Sequence, residues 1–111
     1  MAQYLIQAAY TPEACAAQIA NPQDRTRMLK PVLEKLGGKL VQAWYAFGDF
    51  DIIAILEVPD GVSAAAFSLA GSAGGALRSI KTTPLLSISE GIEAMKKAAM
   101  SGYQPPKGAG A

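Results

Sequence analysis

The sequence predicts an α+β domain: a four-stranded antiparallel sheet with helices on one face, in the order βαββαβ, and one more helix at the end. Three observations point there. Two apolar runs between Leu40 and Asp60 fold back on each other at Gly48-Asp49. Strand-like alternation opens the chain and returns around residue 80. Between these lie capped stretches of helical spacing.

Gln3 to Tyr10 alternates as a strand, with Tyr4, Ile6, Ala8 and Tyr10 on the core face and Gln3, Leu5, Gln7 and Ala9 on the other. Thr11-Pro12-Glu13 starts a helix to about Ala20: an N-cap, a proline in the first turn and an acid at the positive dipole end. Asn21-Pro22-Gln23-Asp24 repeats the signal. It restarts a helix to Leu36, whose stripe is Met28, Leu29, Val32, Leu33 and Leu36. Pro31 predicts a bend, and Gly37-Gly38 ends the helix.

The hairpin follows. Gly48-Asp49 suits a two-residue primed turn. Phe47, Tyr45, Ala43 and Val41 then face Phe50, Ile52, Ala54 and Leu56 on the helix-covered side. Leu40, Gln42, Trp44 and Ala46 face Glu57, Ile55, Ile53 and Asp51 on the other. Pro59-Asp60-Gly61 leads into a small-residue helix from Val62 to Ala73. Gly71 to Gly75 closes that helix ahead of a strand. A phosphate loop instead follows a strand and opens a helix. The last strand lies within Ala76 to Ser89. Ile80, Leu86 and Ile88 share one face; Ser79, Lys81, Thr83, Leu85 and Ser87 share the other. Pro84 puts this strand at a sheet edge, or marks a bulge in it. Ser89-Glu90 begins a helix to about Met100, with Ile92, Met95 and Ala99 inward. The division is one domain over 1–101 and a flexible Gly/Pro-rich tail over 102–111.

Composition narrows the function. The chain has 111 residues, half of them hydrophobic and 17% charged, which suits one domain that hides surface in an oligomer. The net charge of +1, without a basic cluster, argues against nucleic acid as a partner. Histidine is absent, which removes His-based nucleophile pairs and His-ligated metals. Cys15 is alone, so there is no internal disulfide, and it reads as a small apolar residue of its helix. Neither a signal peptide nor a membrane span is expected, and the cytoplasm is the default location. No cofactor and no metal are expected.

The second sheet face is too apolar to be left wet and too polar for an ordinary core. Such a face meets another subunit or a ligand. Gln7, Gln42, Trp44, Asp51, Lys81 and Thr83 are the candidate ligand-binding residues. Trp44 can stack on a planar ligand or anchor an interface. Asp51 is either an acid at a cavity mouth or a brace for the hairpin tip. Lys81 can pair with an anionic substrate or with a carboxylate of either subunit. Asp51 and Glu57 are about 20 Å apart along one strand, too far for a carboxylate pair.

Five features resemble the GYD-domain family: the helix end Lys35 to Lys39, the aromatic pair Trp44/Tyr45, the tip Gly48 to Asp51, the apolar strand Ile52 to Val58, and the exit Pro59-Asp60. The resemblance covers roughly residues 3 to 95. Where that family has tyrosine in the tip, this chain has Phe50, so a role for the phenol hydroxyl is lost and a packing role is kept. The resemblance extends to ferredoxin-like proteins that assemble as dimeric α/β barrels. It implies a homodimer or higher oligomer whose open faces enclose a shared cavity. That group includes cofactor-free monooxygenases, haem-handling enzymes, isomerases and ligand-sensing domains.

The leading expectation is a small-molecule-binding homo-oligomer. Two alternatives stand beside it. One is a cofactor-free oxygenase or isomerase, with Asp51 as base and Lys81 as electrostatic stabiliser. The other is a purely structural module for assembly.

Overall fold

The computed structural model describes residues 1–107. Eight elements follow in order: β1 (Ala2–Tyr10), α1 (Pro12–Ala20), α2 (Thr26–Lys35), β2 (Lys39–Tyr45), β3 (Ile52–Val58), α3 (Gly61–Ala73), β4 (Leu77–Leu85) and α4 (Ile88–Ala99). The strands form one sheet in the order β2-β3-β1-β4, every neighbour antiparallel. This is the ferredoxin-like arrangement, with two helices in the first crossover and an extra helix at the end. Residues 108–111, the end of the predicted tail, lie outside the described residues.

The helices α1, α2 and α3 pack on a single face. Ile6, Ala54, Leu56 and Val58 of the sheet meet Leu33 of α2 and Ala64 and Phe67 of α3. Ala8, Tyr10 and Ile52 meet Ala14 and Cys15 of α1 and Leu29 of α2. In both central strands the residues of these two clusters are even-numbered, as strand alternation requires; Ala9, of the other parity, is buried as well, beside the register shift with β4. Pro84 lies on β4, at the sheet edge, where its missing donor costs no ladder bond.

The hairpin departs from its predicted form in two ways. First, a bulge between Leu40 and Gln42 shifts the register: Leu40 opposes Leu56, and Gln42 opposes Ile55. Leu40 therefore turns inward to the core, Val41 is left exposed, and Lys39 takes the outer place opposite Glu57. One inserted residue is enough to reverse a face. Second, the ladder stops at Tyr45 and Ile52, so the connection is wider than two residues. Ala46 N–H donates to the Asp51 carbonyl at 2.8 Å. Gly48 does take the positive φ expected at the tip, +124°, while Asp49 stays out of the positive region. Phe47, expected inward, is 99% exposed. Phe50 is half-buried in the loop, outside both core clusters.

The helix starts follow side-chain caps. Thr11 Oγ1 accepts from Ala14 N–H, and Asp60 Oδ1 accepts from Ser63 N–H. α2 begins later than predicted because Asp24 Oδ1 accepts from both the backbone N–H and the hydroxyl of Thr26. Asn21 to Arg25 is thereby a linker, and Tyr45 fastens it. The Tyr45 hydroxyl accepts from Arg25 N–H at 3.0 Å and donates to the Gln23 carbonyl at 2.7 Å. Pro31 lies within α2 on its exposed side. α3 closes at Gly74, and Gly75 turns with φ +80° into β4, as the capping role requires.

α4 differs most from expectation. Its N-cap is Ser87, whose hydroxyl accepts from Glu90 N–H while the Glu90 carboxylate accepts from Ser87 N–H. That box starts the helix one residue before Ser89. No residue of α4 is buried. Ile92 and Met95, expected inward, are 48% and 71% exposed, and Leu86 and Ile88 are exposed too. The helix stands away from the sheet. The radius of gyration is 17.8 Å, against about 13 Å for a compact chain of this length.

Candidate functional site

The open sheet face is built as rows across the strands. Pairing places Trp44, Ile53, Gln7 and Lys81 in one row. The next row is Gln42, Ile55, Leu5 and Thr83, and the third is Lys39, Glu57, Gln3 and Leu85. Five of the six predicted site residues thus fall in two adjacent rows. Neighbouring rows lie about 7 Å apart, so these side chains can meet one ligand or one partner surface. Trp44 is 48% exposed, and Leu5, Ile53 and Ile55 are only half-buried, since the packed helices occupy the other face.

The third row satisfies its own charges. Lys39 Nζ stands 3.2 Å from Glu57 Oε2, and Gln3 Nε2 donates to Glu57 Oε1 at 3.4 Å. The Lys39 partner holds the Glu57 carboxyl below its ordinary value. The first two rows have no such pair. They offer an aromatic plane, two amides and a cation on an aliphatic floor.

Asp51 does not join them. Sequence alternation puts it on the open face; the structure turns its carboxylate to the helical side. Asp51 Oδ2 accepts from Tyr10 N–H at 2.9 Å. The cause lies in β1, where the pairing with β4 shifts between Ala9 and Tyr10. A backbone donor at that irregularity needs an acceptor, and Asp51 supplies it. Its own N–H donates to the Ala8 carbonyl at 2.8 Å. With Tyr45, Cys15 and Ile19, Asp51 lines a groove beside α1. Asp51 and Lys81 therefore lie on opposite sides of the sheet, and one chain does not assemble them as a base and its stabiliser.

Sequence reading missed a second feature. A cavity of about 220 Å³ lies between α3, the start of α2 and the helical face of the sheet. Its walls are apolar except for Tyr10 and Arg25. The small residues of α3, read as allowing close approach, here leave space: Ala70, Gly71 and Gly74 line the cavity. Burial pushes the Tyr10 hydroxyl above its ordinary value of 10.0, and the neighbouring Arg25 guanidinium opposes that shift. The folded state therefore keeps this proton to higher pH than the unfolded chain does. The resulting stability is complete below pH 10.0 and is lost as pH rises through the folded-state value. Melting temperatures measured between about pH 8 and about pH 11 will fall more steeply for the native chain than for Tyr10→Phe.

Among the described residues, no group of three or more His, Cys, Asp or Glu is placed to hold a metal ion. No helix among them is long and apolar enough to cross a membrane. No curated protein matches the chain. The family model described as GYD domain matches residues 4–95, from the core tyrosine of β1 to the exposed Met95 of α4. That span takes in the four-stranded sheet except for Ala2 and Gln3 of β1, together with its three packed helices, and the chain belongs to the GYD domain family.

Proposed function

We propose that the chain is a small-molecule-binding homo-oligomer whose copies meet across their open sheet faces. The observation that carries this reading is the uncovered pair of rows around Trp44. The helices α1, α2 and α3 all pack on the opposite side, so these rows gain no cover from them. Leu5, Ile53, Ile55 and Trp44 form a continuous apolar area, the kind of surface that marks a partner or ligand site. A flat face encloses nothing alone; two facing copies make a lined space. In that space Trp44 stacks on a planar group, Gln7 and Gln42 give and accept hydrogen bonds, Thr83 adds a hydroxyl, and Lys81 favours an anion.

The test is assembly mass against concentration, by light scattering on native protein and Trp44→Ala. The native chain is expected at a multiple of 11.5 kDa. The variant is expected to dissociate at least about tenfold more readily, because buried aromatic anchors dominate interfaces. A native monomer at micromolar concentration, or a variant of unchanged assembly, rejects the proposal.

A further inference from the structure

We propose that the cavity under α3 binds a small hydrophobic carboxylic acid, its carboxylate on Arg25 and the Tyr10 hydroxyl and its apolar body against α3 and the sheet. This site lies on the opposite side of the sheet from the rows around Trp44 and is independent of assembly.

Size sets the ligand class. A cavity of about 150 Å³ lined by aliphatic and aromatic side chains accepts benzene. The present one, at about 220 Å³, has room for a ring carrying a short side chain. Shape comes from the sequence. Ala8 on the floor and Ala70, Gly71 and Gly74 on the roof withhold volume where larger side chains would close the gap. A built Cβ on Gly71 would come within 3.3 Å of Leu77 Cδ1, so this part of the helix already sits close to β4. The space therefore belongs to the side toward Arg25.

Polarity sets the head group. Arg25 is half-buried; its Nη1 lies 2.9 Å from the Met28 thioether, and its guanidinium neighbours the Tyr10 hydroxyl. Among the described residues the ion pair is Lys39 with Glu57; Arg25 pairs with no carboxylate. Asp51, the nearest acid to Tyr10, spends Oδ2 on Tyr10 N–H. A guanidinium half out of water, with planar donors and no anion, fits a carboxylate in two-point contact. The Tyr10 hydroxyl beside it adds a third donor. The two polar residues sit among apolar ones, as in sites where a few polar groups orient an apolar ligand.

The experiment titrates 3-phenylpropanoate and its uncharged amide into the native chain and into Arg25→Met, Ala70→Leu and Trp44→Ala, followed by amide chemical shifts. The acid is expected to bind the native chain at least about tenfold more tightly than the amide. Arg25→Met is expected to remove that preference while leaving amide binding unchanged. Ala70→Leu, which fills the mouth from an exposed position, is expected to abolish binding of both. In Trp44→Ala the amides that line the cavity, Gly71, Gly74 and Ala76 among them, are expected to respond to the acid as in the native chain, whatever changes on the open face. Equal binding of acid and amide by the native chain overturns the head-group assignment. So does a preference retained in Arg25→Met. Binding retained in Ala70→Leu places the ligand elsewhere and overturns the site. No binding of either probe at millimolar concentration leaves the cavity a packing void and overturns the proposal.

Discussion

Replacing Leu33 with alanine will lower the free energy of unfolding by about 3 kcal/mol, within the range for a fully enclosed leucine. Leu33 is 0% exposed and is the one buried residue of α2. It joins Leu56 and Val58, both 0% exposed, to Phe67 of α3. The side chain therefore ties the first crossover to the second through the sheet. Truncation forfeits the transfer energy of the removed atoms and leaves a hole that rigid strands fill poorly. The melting temperature will drop by about 12 °C or more, at roughly 4 °C per kcal/mol for a chain of this size. Val32→Ala, one residue away and 39% exposed, will cost less than about 1 kcal/mol. Thermal and urea melts at one fixed protein concentration separate the two. Equal losses would show that α2 does not dock through Leu33.

Gly38→Ala will be as damaging, for the opposite reason. A Cβ at this position would collide with the Glu57 carbonyl oxygen and come within 2.7 Å of Val58 Cγ1. Neither obstacle is a free-swinging end. The first is backbone of the strand beside it, and the second belongs to a residue with 0% exposure. The start of β2 can run this close to the end of β3 only without a side chain. Relief requires the strands to part, and overpacking of this kind costs about 3 kcal/mol or more. The adjacent Gly37 is a separate matter. Its φ is +78°, so alanine there costs about 1 kcal/mol of backbone strain, with Pro59 Cγ 3.2 Å from the new Cβ. Parallel denaturant melts will rank Gly38→Ala well below Gly37→Ala. The reverse order would mean that the double glycine serves the helix end alone.

Much of the fold was legible because alternation and capping are local. Tyr4, Ile6, Ala8 and Tyr10 face the helices as read, and Pro84 marks an edge as read. Trp44 falls opposite Ile53 and Gln42 opposite Ile55, as the hairpin pattern requires. What escaped was set by distant partners. Nothing in the run KLVQAWY announces that Val41 is a bulge; it is fixed by pairing with β3. Asp51 has the parity of the open face, yet an amide in another strand draws its carboxylate away. Arg25 carried no signal in the sequence, because its place at a cavity depends on how α2 and α3 lie over the sheet. The apolar stripe of α4 reads as a buried face in sequence, since periodicity reports which residues want cover and not whether one chain provides it.

Twelve residues held by a capping box, none of them buried, make a segment whose folding is nearly its own affair. A free helix of that length is marginal in water. α4 can therefore unwind and rewind many times during one opening of the sheet, and its backbone amides will exchange with solvent while those of β1 and β3 stay protected. The same chain thus carries two clocks: a slow one in the strands and a fast one in its last helix.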